Sequence, residues 1–281
     1  MKKKVFYLGP QASYCDYAKN KFVSTFFLEE YEQVAKHSIL STIKELTKET
    51  NQDSYAVIPI ENSVEGIVRE TIDNLGLLTQ TNIKIIAETS IPIQHCLASY
   101  ANNLEEIKVI SSHPQAIAQC YNFITNNFRE DIELRNELST AAAIKNLNPE
   151  NPSISAIGSS FAATLYNKPI LKTEINDITS NRTRFILLGQ KQTKITGHDK
   201  TGFSFVTPNT PGALCKILNI LEKHNINMTY IDSRPSKKTL GEYVFFVDID
   251  GHALSQNISV ALFEILQFVK DFQYFGSYTI I

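Results

Sequence analysis

The chain has 281 residues, 43% hydrophobic and 20% charged, which suits one large or two ordinary globular domains and excludes a disordered polymer. Its 27 Lys and Arg against 29 Asp and Glu give a net charge of −2 with no basic stripe, so the expected partner is a small molecule rather than nucleic acid. The amino-terminal "MKKKVFYLG" lacks the apolar length of a signal sequence, and no apolar run of about 18 residues follows. A cytoplasmic location without membrane contact is expected.

Cys15, Cys96, Cys120 and Cys215 are widely spaced with no C-x-x-C, so disulfides and structural zinc are not expected. The histidines lack metal-ligand spacing, and no glycine-rich dinucleotide loop or P-loop occurs. No cofactor and no metal are expected; the chemistry falls to the protein's own side chains.

In chain order, "KVFYLG" (4–9), "YAVIPI" (55–60), "IKIIAETSIPI" (83–93), "HCLAS" (95–99), "KVISS" (108–112), "SISAIGS" (153–159) and "RFILLG" (184–189) read as strands. Segments 38–48, 66–78, 114–127 and 139–147 carry apolar residues at spacings of three and four and read as helices. Strands alternating with helices imply a largely parallel α/β sheet, and their number suits two α/β lobes within residues 1–190. Residues 191–200, inside a polar, lysine-bearing stretch, read as a linker. Residues 201–281 then follow the order strand, helix, strand, strand, helix, strand, which is the ferredoxin-like βαββαβ plan.

Chemistry-bearing groups collect where strands run into helices. Asn62-Ser63, Ser111-Ser112, Ser139-Thr140 and Ser159-Ser160 each place hydroxyl or amide side chains at such a junction. Each has an ordinary reading as a helix cap, Asn62 with Glu65 in particular as a capping box. Together, strand ends and helix N-termini lining one crevice would suit a carboxylate ligand, which Arg184 is able to hold through a bidentate contact. Both an enzyme and a binding protein fit such a crevice.

Longer segments narrow the choice. "YAVIPIENSVEGIVRETIDNL", "ISSHPQAIAQC", "STAAAIKNL" and "NRTRFILLG", in this order, resemble the signature segments of the prephenate dehydratase family. "TPNTPGALCKILNILEKHNINMTYIDSRPSKKTLGEYVFFVDIDG" resembles its regulatory ACT domain. The resemblance covers nearly the whole chain and is to the monofunctional form.

It implies a two-lobed catalytic domain laid out like periplasmic binding proteins, with the active site between the lobes. The implied reaction converts prephenate to phenylpyruvate with loss of carbon dioxide and water, under inhibition by L-phenylalanine. Thr183 is the implied catalytic group, with Asn62, Ser63, Ser112, Gln119, Thr140, Arg184 and Phe185 as substrate contacts and Glu61, His113 and Ser13 in support. The implied effector site comprises Gly212, Ala213, Leu214, Asn227, Asp232 and Ser233, with a homodimer or homotetramer as the assembly.

The sequence departs from the family pattern at Ala12-Ser13-Tyr14-Cys15, where glycine, threonine, aromatic and hydroxyl are usual, and at Asp232, where glutamate is usual. Arogenate dehydratase and a non-catalytic amino-acid sensor are the alternatives.

Overall fold

The computed structural model describes residues 3–26, 31–79, 81–236 and 241–281. Met1, Lys2 and residues 237–240 of the ACT-like segment lie outside them. Val5, Phe6 and Tyr7 are buried on both faces of β1 (Lys4–Leu8), as a central strand requires. The chain continues through α1 (Tyr14–Phe26), β2 (Glu32–Lys36), α2 (Ile39–Lys48) and β3 (Tyr55–Asn62). Ser38 starts α2 in a reciprocal capping box with Ser41, so its apolar stripe Ile39, Ile43 and Leu46 docks at a fixed angle on the sheet. A short hairpin partner, β4 (Gly66–Ile67), precedes α3 (Arg69–Leu75), and β5 (Lys84–Pro92) completes this pass through the first lobe.

The second lobe comprises β6 (His95–Ser99), β7 (Val109–Ser112), α4 (Pro114–Ala118), α5 (Tyr121–Asn127), β8 (Glu133–Asn136), α6 (Thr140–Lys145), β9 (Ile154–Ser159), α7 (Ser160–Leu165) and β10 (Ile170–Lys172). Its sheet runs in the order β10-β6-β9-β7-β8. The chain returns to the first lobe as β11 (Arg182–Gly189), antiparallel to both β3 and β5. Two sheets in one α/β unit agree with the two-lobed expectation.

The carboxy-terminal portion contains β12 (Asp199–Val206), α8 (Ala213–Lys223), β13 (Met228–Pro235), β14 (Tyr243–Asp250), α9 (Gln256–Ile265) and β15 (Lys270–Ile280). The βαββαβ order is as expected. Apolar stripes of α8 and α9, including Ile217, Leu221, Ile258, Ala261 and Ile265, meet Phe203, Phe205, Val247 and Ile249 in a core of their own.

Three strands carry no apolar signature and were not expected. These are β2, β8 and β10, which lie at sheet edges and bury little. The expected helix 66–78 is instead β4, α3 and a 3₁₀ turn, and 114–127 breaks at Cys120 into α4 and α5. In the stretch expected to be a linker, Thr193 donates to the Ser277 carbonyl at 2.7 Å and Thr196 to Asp199 at 2.6 Å, so this polar stretch is fastened to the carboxy-terminal sheet.

Pairing of β15 with β5 through Thr279 opposite Ala87 and Ile280 opposite Glu88 joins the carboxy-terminal sheet to the first lobe. Among the described residues this makes one ten-stranded sheet, ordered β13-β14-β12-β15-β5-β11-β3-β1-β2 with β4 against β3. Gly276 sits at the junction with φ of 136°, and a Cβ there would run into the Ile85 carbonyl oxygen. Gly276→Ala is therefore expected to reduce unfolding free energy by about 2 kcal/mol or more in urea titrations. Gly197 also has positive φ, at 90°, but meets nothing within 4 Å, so Gly197→Ala should cost clearly less. Equal losses would remove the close approach as the cause.

Candidate active site

The carboxyl end of β3 and the amino end of β11 meet in register, Asn62 opposite Thr183. Asn62 is oriented without ambiguity, because its Oδ1 accepts the Val64 and Glu65 backbone N–H groups, each at 2.9 Å. Its Nδ2 must then donate outward, to Thr183 Oγ1 at 2.8 Å and to Asn181 Oδ1 at 2.8 Å. A hydroxyl that accepts from Asn62 keeps its own proton for a further acceptor. The expected capping box is corrected here: Asn62 closes a turn before β4, and α3 starts later, after Val68.

A cleft of about 410 Å³ opens at this point between the lobes, lined from the first lobe by Tyr14, Asn62, residues 65–68 and Thr183. Across it stand His95, His113, Gln115, Gln119, Leu138, Ser139 and Thr140. His113 and Ser139 act as N-caps, accepting from Gln115 N at 3.3 Å and Ala142 N at 3.0 Å, with Pro114 in the first turn of α4. Ser159 caps α7 in the same way. These caps aim the starts of α4 and α6 into the cleft. Apolar Ile67, Val68, Ile93 and Ala116 complete the lining. Nothing among the described lining residues is a lysine or an arginine, so a ligand carboxylate would meet neutral donors.

Thus Asn62, Gln119, Thr140, His113 and Thr183 come together as the sequence suggested. Five others do not. Arg184 leaves the strand on the face opposite Thr183, and the expectation that it holds a ligand carboxylate is corrected by its partners. It donates to Glu61 at 2.8 Å, to Glu88 at 2.6 Å and to Asp248 of β14 at 2.9 Å. Burial alone would favour loss of its proton, but the Glu88 and Asp248 carboxylates outweigh that and hold the guanidinium above its ordinary value. Lys200 adds a second cation on Glu88 at 2.6 Å. Glu61 therefore belongs to this ion cluster and not to the cleft lining.

Phe185 is 2% exposed, packed with Tyr7, Phe22 and Val57 in the core beneath α1. Ser112 is fully buried and donates to the Ile157 carbonyl at 2.7 Å, tying β7 to β9. Ser63 accepts from Arg182 N at 2.9 Å and so pins β3 to β11. Ser13 accepts from Asp16 N at 3.2 Å at the start of α1. The departed family glycine has a structural counterpart, since Ala12 adopts φ of 69° and its N–H is held by Asp16 at 2.7 Å. That left-handed backbone costs an alanine about 1 kcal/mol that glycine would not incur.

His95 and Tyr14 line the cleft and were missed as site residues. His95 is 3% exposed, and burial pushes its pKa below the ordinary value, leaving a neutral ring. Its position at the start of a buried strand reads from sequence as a core histidine; only the convergence of three distant segments distinguishes it.

The implied effector residues divide. Gly212, Ala213 and Leu214 line a separate pocket of about 240 Å³ with Thr210, Tyr243 and Phe245, Gly212 taking φ of 76° ahead of α8. Asn227 donates to Asp250 at 2.8 Å, and Asp232 pairs with Arg234 at 3.1 Å; neither they nor Ser233 line that pocket.

Comparison with known proteins bears on both regions. The family model described as prephenate dehydratase matches residues 5–193, and the ACT domain model matches residues 203–258. A prephenate dehydratase of Methanocaldococcus jannaschii is 37% identical over 257 residues, covering 90% of each chain. One from Lactococcus lactis subsp. cremoris is 33% identical over 287 residues, covering 99% of this chain and 98% of the relative. Among solved structures, prephenate dehydratase in complex with L-Phe from Arthrobacter aurescens superimposes with a TM-score of 0.83 at 29% identity, over 98% of this chain and 89% of that one. The quorum quenching acylase GqqA shares the fold, with a TM-score of 0.84 at 24% identity over 99% of this chain and 98% of that one.

Proposed function

The chain belongs to the prephenate dehydratase family, whose members are hydro-lyases, and on that premise we propose that Thr183 is the group that assists departure of the ring hydroxyl in the interlobe cleft. The observation that supports this reading is the Asn62 bond to Thr183 Oγ1, which leaves the threonine proton free for an acceptor such as a substrate oxygen. In the reaction the bond to the ring carboxylate breaks as carbon dioxide, its electron pair enters the ring, and the C–O bond at the far ring carbon breaks as the ring becomes aromatic. The departing oxygen leaves as water once protonated, with solvent restoring the proton balance. A donor fixed against that oxygen in a cleft stabilises charge as it develops, worth about 3 kcal/mol in comparable sites. Thr140 and Gln119 orient the carboxylate-bearing side chain from the opposite lobe, with Asn62 holding the donor in place.

Residues 1–190 serve as the catalytic domain and residues 201–281 as a regulatory domain that takes L-phenylalanine, with prephenate turnover inhibited as a result. Support for the effector comes from the ACT match and from the L-Phe named with the Arthrobacter aurescens relative. The pocket before α8 offers backbone N–H groups to an amino-acid carboxylate. Asn227, Asp232 and Ser233 stand apart from it, and on this reading they come from a second copy of the chain in an assembly of at least two. Among the described residues no helix is long and apolar enough to cross a membrane.

Thr183→Ala should lower kcat for prephenate by about 100-fold or more with a much smaller change in KM, because the lost interaction forms mainly in the transition state. Normal turnover in that variant would reduce Thr183 to a strand residue. For the effector, calorimetric titration of L-phenylalanine into the full chain should show binding that Gly212→Asp abolishes, since a carboxylate at the helix start repels the ligand's own. Unaltered binding in Gly212→Asp would relocate the effector site.

A further inference from the structure

The cleft contains a polar chain that crosses it twice. Tyr14, on α1 of the first lobe, approaches His95 Nδ1 at 3.3 Å, and His95 Nε2 lies 3.1 Å from Gln119 Oε1. Gln119 Nε2 then donates back across the cleft to Glu65 at 3.3 Å. Gln119 belongs to the second lobe and Glu65 to the first, so the carboxamide spans the space a substrate would enter.

A carboxamide has nearly the same shape in its two flipped orientations, but only one of them presents a donor to an anion. In a cleft lined by no lysine or arginine among its described residues, that choice matters for a substrate with two carboxylates. Glu65, an acceptor when ionised, draws the NH2 toward itself, which leaves Gln119 Oε1 facing His95. His95 must then carry its proton on Nε2. Nδ1 is then the bare ring nitrogen, and it faces the Tyr14 hydroxyl, whose one proton has the Gln94 carbonyl at 2.6 Å and Nδ1 at 3.3 Å within reach. Behind the ring the His95 main chain is held, its N–H bound to Asn176 Oδ1 and its carbonyl accepting from Ile175 N at 3.1 Å. Tyr14 also meets the ring edge-on, with ring centroids 5.9 Å apart.

We propose that His95 is a positioning residue for the dehydratase reaction: its Nε2–H fixes the Gln119 carboxamide so that the NH2 faces the substrate, where it receives a carboxylate in place of an arginine, which the described lining does not include. As the anionic substrate arrives it takes over the NH2 from Glu65, while His95 keeps the carbonyl oxygen turned away. The inference rests on reading the cleft as the prephenate site and assigns to it the group that orients its neutral anion donor.

The test is steady-state prephenate kinetics on His95→Leu, His95→Gln, Gln119→Ala and the two double variants, with thermal unfolding of each. His95→Leu should raise KM by about tenfold with kcat within about threefold, since a buried donor is lost from binding and not from bond breaking. His95→Gln, whose amide N–H reaches the same oxygen, should stay within about threefold of the parent. Once Gln119→Ala has removed the amide, adding either His95 substitution should cost nothing further, because residues acting as a unit are not additive. Losses at 95 and 119 that multiply would overturn the proposal, as would parental KM in His95→Leu. If His95→Leu fails to fold, the His95→Gln and Gln119→Ala cycle decides alone: rescue with no added loss supports positioning, and loss in His95→Gln at unchanged unfolding temperature overturns it. A parent enzyme that does not turn over prephenate sinks the reading of the cleft as well, whereas loss on Thr183→Ala beside indifference at His95 sinks only the positioning role.

Discussion

The guanidinium of Arg184, gripped by Glu61, Glu88 and Asp248, is the contact on which the arrangement of the molecule turns. It lies next to Thr183 in the chain, beside β3 through Glu61, beside β5 through Glu88, and against β14 of the carboxy-terminal sheet through Asp248. Buried charges are costly unless paired, and removing one partner from such a group typically costs 3–5 kcal/mol. The position of β14 relative to the amino end of β11 is therefore held by a directional interaction as well as by the packing of Phe246 on the first-lobe core. The β15–β5 pairing makes the same connection through backbone hydrogen bonds.

Those two connections give the proposed regulation a material form. The pocket before α8 and the cleft beside Thr183 both draw residues from one continuous ladder of strands, and Arg184 joins β14 to the strand of Thr183 directly. At the other end, Thr183 is held by Asn62, whose turn bonds fix the direction of its amide. Among its described lining residues the cleft carries donors and no lysine or arginine. Binding there depends on orientation of neutral groups, which makes it sensitive to small displacements of the strands that present them.

How much of this the sequence disclosed depended on whether the cause was local. N-caps at Ser139 and Ser159 and the proline-initiated α4 follow from neighbouring residues, and they fell where expected. The motif segments likewise brought Asn62, Gln119, Thr140 and Thr183 to one cleft. Arg184 was misassigned because its partners come from positions 88 and 248, far along the chain, and a bulge between Arg184 and Phe185 disturbs the strand alternation. Phe185 and Ser112 sit inside signature segments yet serve the core, since a segment alone does not say which residue faces the ligand. His95 was invisible for the opposite reason: its neighbours Tyr14 and Gln119 arrive from other elements. Edge strands such as β8, exposed at every position, leave no apolar pattern to read.

The central claim, that the Arg184 cluster would couple the proposed effector domain to the strand of Thr183, is tested most directly by the L-phenylalanine inhibition curve of Asp248→Asn. The substitution keeps shape and removes the charge that ties β14 to Arg184, while Glu61 and Glu88 still hold the guanidinium. Prephenate turnover without effector should stay within about threefold of the parent, and the phenylalanine concentration for half-inhibition should rise by roughly tenfold or more, within the range expected for loss of a coupling of about 1 to 3 kcal/mol. An inhibition curve that superimposes on that of the parent protein would contradict the account.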